Sequence, residues 1–153
     1  MSTPRIDRAS LELATAPQAV FGALADPVQL MKWLPPNDMT GRAVAYDFRV
    51  GGRYEIELRY ADGTGTGKSS EHTDVTQGRF LAIEPDRRVV QTVVFTSDDP
   101  AFAGEMTMTW SLQPTARGTL VTVTAENVPS GISKEDHDEG LRASLDNLAG
   151  LFG

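Results

Sequence analysis

The 153-residue chain contains no cysteine, which excludes disulfides, thiolate nucleophiles and zinc–sulfur sites. Histidine is nearly missing too. His72 and His137 are the only two, with neither HxxxH nor HxH spacing, so no metal centre is expected. The acidic pairs Asp98–Asp99 and Asp136–Asp138 read as a loop and a helix N-terminus rather than a hard-cation site. There is no GxSxG, and no helix pattern follows the GTG repeats at 63–67, so neither a serine-hydrolase elbow nor a phosphate loop is expected. Nothing in the chain implies a cofactor. Basic clusters are also wanting. With a formal net charge of −7, and with Arg87–Arg88 following a Pro85–Asp86 turn, nucleic acid and anionic membranes are poor partners. No apolar run reaches the roughly 18 residues a membrane span needs. The opening MSTPRIDRASLELA has no apolar signal region, so the expected location is the cytoplasm.

What remains is patterning. The composition, 40% hydrophobic and 23% charged, suits one globular domain, read here as spanning 1–153 without repeat or linker. Residues 5–14 alternate loosely as a first strand. Thr15 is placed to cap a short helix that buries Val20, Phe21 and Leu24; Asp26–Pro27 restarts a second, which ends at Leu34–Pro35–Pro36. Strands are then expected over 42–48, 53–60, 71–83 and 88–96, with turns at Gly51–Gly52 and Glu84–Pro85–Asp86. The stretch 61–70 reads as a flexible hairpin loop. Over 88–96 both faces are apolar, so the inward face stays open. Met106, Met108, Trp110 and Leu112 share one face of 104–113, and GTLVTVTAE at 118–126 alternates as well. Ser133 then opens a helix carrying Leu141, Leu145, Leu148 and Phe152 on one side. The expected class is α+β: a curved antiparallel sheet of six to seven strands around a long C-terminal helix, with two short helices between strands one and two.

Five segments in this order, DPVQLMKWLPP at 26–36, FRVGGRYEIELRYADG at 48–63, GRFLAIEPDRRVVQT at 78–92, MTMTWSLQP at 106–114 and GTLVTVTAENVP at 118–129, resemble the helix-grip, START-like (SRPBCC) superfamily. Within it the chain is most similar to the branch related to the activator of heat-shock protein (90 kDa) ATPase. Two departures stand out. Lys32–Trp33 supplies one tryptophan where the family often has a pair, and Gly140–Leu141 lacks the aromatic that often follows the glycine. The resemblance implies a helix-grip fold with an internal pocket. Across the superfamily it implies several roles: carriage of lipids, hormones or polyketides, cyclisation or hydration, and stimulation of a chaperone.

The leading expectation is therefore a pocket between sheet and last helix that binds a small hydrophobic or amphipathic molecule. Its candidate residues are Trp33, Tyr54, Ile56, Phe80, Met106, Met108, Trp110, His137, Leu141 and Ser144, with no catalytic residue assigned. Aromatics and pliable thioethers suit an irregular apolar ligand; spacing alone favours plain core packing, and the resemblance brings the pocket reading level with it for Trp110 and Tyr54. His137 is either a polar group at the pocket mouth or a rim histidine solvated beside its acidic neighbours. A carboxylate partner for it, such as Glu57 or Glu126, would have to leave the polar strand face. Gly140 costs helix stability, and close approach of the helix to the sheet or to a ligand is the reading preferred for it. Two alternatives stand beside ligand carriage: a co-chaperone-like or stress-response interaction module, with a protein partner possible but not indicated by any patch, and a pocket enzyme such as a cyclase, hydratase or hydrolase.

Overall fold

The computed structural model describes residues 5–35, 39–60, 73–96 and 100–152. The 61–70 loop, His72 and Asp98–Asp99 lie outside them. Among the described residues the strands are β1 (Ile6–Leu13), β2 (Met39–Tyr46), β3 (Arg53–Tyr60), β4 (Thr73–Glu84), β5 (Arg88–Phe95), β6 (Met106–Pro114) and β7 (Thr119–Glu126). They form one antiparallel sheet in the order β1-β7-β6-β5-β4-β3-β2. Each strand therefore lies beside its sequence neighbour, except that β1 pairs with β7, from Ile6 opposite Glu126 to Leu13 opposite Thr119. Helices α1 (Pro17–Ala25) and α2 (Pro27–Trp33) lie between β1 and β2, and α3 (Lys134–Leu151) follows β7. This is the helix-grip arrangement that the alternation and the helix pattern predict.

Two bulges curve the sheet, one between Ala43 and Ala45 on β2 and one between Phe80 and Ala82 on β4. Nearby, a Cβ on Gly78 would fall 2.0 Å from the Thr92 carbonyl oxygen, so β4 and β5 approach there only because position 78 lacks a side chain. Strand β2 starts three residues earlier than the expected 42 and stops at Tyr46. There the Asp47–Gly52 turn takes over, with Gly51 in the left-handed region at φ 82°.

The inward strand faces build the core: Leu13, Val121, Val123, Leu112, Trp110, Tyr54 and Phe80 meet Leu141, Leu145 and Leu148 of α3. Burying each such side chain is worth roughly 1.5–3 kcal/mol, which fixes α3 against the concave face. On β5 the open question resolves: Val89 and Val93 are buried, while Val90 and Val94 are half-buried on the other side.

The helix starts differ in one respect from expectation. Asp26 caps α2 by accepting the Val28 N–H at 2.9 Å, and Ser133 caps α3 by accepting the Asp136 N–H at 3.1 Å. Thr15, however, does not cap α1. The N-cap position is Ala16, without a side-chain bond, and Pro17 at the first turn removes one N–H that a cap would have served. The Thr15 carbonyl instead accepts the Thr119 hydroxyl at 2.7 Å, tying the β1–α1 junction to β7. The Trp33 indole donates to the Ala23 carbonyl at 3.0 Å, locking α2 against α1.

Candidate functional site

Between the sheet and α3 lies a cavity of about 210 Å³. Eight of the ten candidate residues line it. Tyr54 and Ile56 come from β3, Met106, Met108 and Trp110 from β6, and His137, Leu141 and Ser144 from α3. Trp33 and Phe80 stand one layer behind. Trp33 packs edge-on against Trp110 at 5.3 Å between centroids, and Phe80 stacks obliquely on Tyr54 at 5.4 Å. Both are fully buried, so they hold the wall rather than form it. Patterning missed the contribution of β5, whose Val89, Gln91, Val93 and Phe95 all face inward, because its two faces are equally apolar in sequence. It also missed Tyr46 and the leucines of α1 and α2, Leu24 and Leu30.

Gly140 lines the cavity as well, and here the expectation is corrected. A Cβ built on it meets nothing within 4 Å, so the glycine does not serve close packing of α3 on the sheet. It leaves open space where a side chain would project.

The polar groups on the wall are mostly committed. The Tyr46 hydroxyl donates to the Leu24 carbonyl at 2.6 Å, and the Tyr54 hydroxyl donates to the Thr92 carbonyl at 2.5 Å. Burial pushes the Tyr54 phenol up to about 12 against an opposing hydrogen bond with Gln91, and burial likewise raises Tyr46. Neither tyrosine is therefore poised to exchange a proton near neutrality. The Ser144 hydroxyl donates to the Leu34 carbonyl at 3.3 Å, linking α3 to the end of α2.

His137 is different. Its Nδ1 lies 2.7 Å from Oδ2 of Asp7, a carboxylate on β1 with no solvent exposure. Arg5 approaches the same oxygen at 3.0 Å, and Lys134 reaches the other at 3.3 Å. Burial alone would raise the Asp7 carboxyl. The hydrogen bonds from His137 and Lys134 and the Arg5 charge outweigh it and hold the group below its ordinary value. Lys134 is held above its own, first by its hydrogen bond to Asp138, against some desolvation, and then by that to Asp7. The His137 side chain is 14% exposed and bonded to a carboxylate with no exposure, at one side of the cavity that His137 lines. The glutamates considered as partners stay outside: Glu57 pairs with Arg42 and Arg59 on the outer face, and Glu126 is exposed. A signal for Asp7 was present, since it shares the parity of Ala9, Leu11 and Leu13 on β1.

A second, shallower recess of about 580 Å³ lies between α2, β2 and the last turns of α3, lined by residues such as Met31, Gly41 and Asn147. It contains none of the candidate residues. No group of three or more potential metal ligands occurs among the described residues, and no described helix is long and apolar enough to cross a membrane.

Comparison with known proteins agrees with this architecture. Protein CV1439 from Chromobacterium violaceum superposes with a TM-score of 0.85 at 32% identity, covering 95% of each chain. The AHSA1 protein SPO3351 from Silicibacter pomeroyi gives 0.77 at 21% identity over 97% of each. The AHSA1-like protein from Aeromonas hydrophila gives 0.72 at 19% over 96% of this chain and 91% of its own. The last two likenesses show the fold alone. No protein with a curated description matches. The family described as "Activator of Hsp90 ATPase homolog 1-like protein" matches residues 14–153, beginning just after β1. On that match, nearly the whole length of a helix-grip fold, the chain belongs to the Activator of Hsp90 ATPase homolog 1-like family.

Proposed function

We propose that this protein binds one small, mostly apolar molecule in the cavity beneath α3. The observation that carries the reading is the cavity wall itself: inward side chains of β3, β5 and β6 and one face of α3 converge on a space that Gly140 leaves open. At about 210 Å³ it falls below the usual 300–1,000 Å³ of drug-sized sites, so the ligand is a compact ring system rather than a sterol or a long acyl chain. Its methionines and aromatics adapt to such a shape, and the buried polar pair marks one end.

The test fills the space. A Cβ at position 140 meets nothing within 4 Å, so Gly140→Leu should fold while filling part of the space. Titration calorimetry with nitrobenzene, a compact aromatic without a hydroxyl, should show one site per wild-type chain and none in the variant. Equal binding by both proteins, or none by wild type, would remove the cavity as a ligand site. Native mass spectrometry of freshly purified protein adds an independent reading, as a discrete mass lost on denaturation would weigh a carried ligand directly.

A further inference from the structure

The cavity reading leaves the Asp7–His137 pair without a role, and an apolar pocket does not need one. A buried carboxylate facing two cations and an imidazole costs desolvation that leucine or valine at the same place would not. We infer that Asp7 and His137 form a positioned acceptor at one end of the cavity that recognises the weakly acidic hydroxyl of a phenol or enol and takes its proton.

The argument starts from hydrogen-bonding capacity. An ionised carboxylate only accepts, so the short contact between Asp7 and Nδ1 requires the hydrogen to sit on Nδ1. In the neutral ring this leaves Nε2, on the far side, with a bare lone pair. No hydrogen bond of Nε2 occurs among the described residues, and His137 is one of the residues that line the cavity. A hydrocarbon there would leave the lone pair unanswered, whereas a hydroxyl satisfies it. Proton transfer breaks the ligand O–H bond, leaves the electron pair on oxygen and forms the Nε2–H bond. The resulting imidazolium lies against the Asp7 carboxylate, and the remaining charges facing the pair are Arg5, just before β1, and Lys134 and Asp138 from α3. Arg5 and Lys134 are donors only, so neither can replace histidine as the acceptor of the hydroxyl.

This inference rests on the cavity reading, and one matched pair of probes separates their fates. 4-Nitrophenol and nitrobenzene differ by the hydroxyl alone, and the phenolate of the former has its own visible absorption band. In a buffer more acidic than the free probe's pKa, wild-type protein should bind nitrophenol roughly tenfold tighter than nitrobenzene, the effect of one charge-assisted hydrogen bond, and should generate the phenolate band. His137→Gln keeps the approximate volume but removes the base. It should abolish the band and bring nitrophenol affinity down to that variant's own nitrobenzene affinity. Asp7→Asn should weaken the band without abolishing nitrobenzene binding. Equal affinity for the two probes, or a phenolate band that survives His137→Gln, overturns the inference and leaves the cavity reading standing. If nitrobenzene itself fails to bind, both fall together.

Discussion

Asp7 keeps its charge where water does not reach, and that sets how the protein answers acid. A carboxyl whose folded pKa lies below its unfolded value of 3.8 contributes stability that is present above 3.8 and lost as pH falls through the lower, folded value. Denaturant midpoints measured from pH 6 downward should therefore decline steeply below about pH 4 in the wild type. In Asp7→Asn the decline should be shallower, with a loss on the order of 2 kcal/mol already present at pH 6 because Arg5, Lys134 and His137 lose their anion. A variant that tracks the wild type across the whole range would show the pair to be energetically silent. The two halves of this pair were unequally legible in the sequence. His137 stands out on the apolar side of an obvious helix, one turn before Leu141. Asp7 sits among Arg5, Arg8 and Glu12, where a strand looks ordinarily solvated; only the parity it shares with Leu11 and Leu13 betrays it. Nothing local could join them, as 130 residues separate the two side chains.

At the scale of single elements, α3 is the most informative. Gly140 is helical and half-buried, and a methyl there meets no atom within 4 Å. Gly140→Ala should therefore raise stability by about 1 kcal/mol through helix propensity alone. Ser133→Ala removes the N-cap and should lower it by about the same amount. Thermal melts of both variants check the pair of signs, and a destabilised Gly140→Ala would mean the helix needs its glycine for packing after all. Strands β3, β6 and β7 were legible because their two faces differ: Tyr54 and Ile56 alternate with Arg53 and Glu55, and Val121 and Val123 with threonines. Strand β5 was not, because Val89–Val90 and Val93–Val94 offer no contrast, and only its pairing with β4 and β6 decides which face looks inward. The α1 cap misled for a related reason. Threonine before Ala–Pro has the composition of a cap, yet its carbonyl is used by Thr119, 104 residues away.

For the molecule as a whole, order of elements was readable and volume was not. Seven strands, two short helices and a long one follow from alternation, prolines and glycines met in sequence. The cavity depends on how side chains from eight elements fail to fill a space, and Trp33 and Phe80 fall behind its wall by one layer for reasons of depth that no periodicity encodes. The strand that supplies Asp7 also precedes the segment matched by the family, residues 14–153. Removing residues 1–13 should thus do more than shorten an end. It strips β7 of one neighbour, takes Leu13 out of the core and leaves Asp7's partners without their anion, and should leave a chain that fails to unfold cooperatively by circular dichroism. A sharp, near-native transition in the truncated protein would assign the fold's integrity to 14–153 alone. The pairing of β1 with β7 also bears on how the chain is made. During synthesis β1 emerges before its sheet partner at residues 119–126, and before its helical cover after residue 134. At roughly 5–20 residues per second, β1 waits on the order of ten seconds with its hydrogen-bonding edges bare. Arg8, Ser10 and Glu12 are its exposed residues, and charged and polar side chains of this kind disfavour pairing with a wrong neighbour.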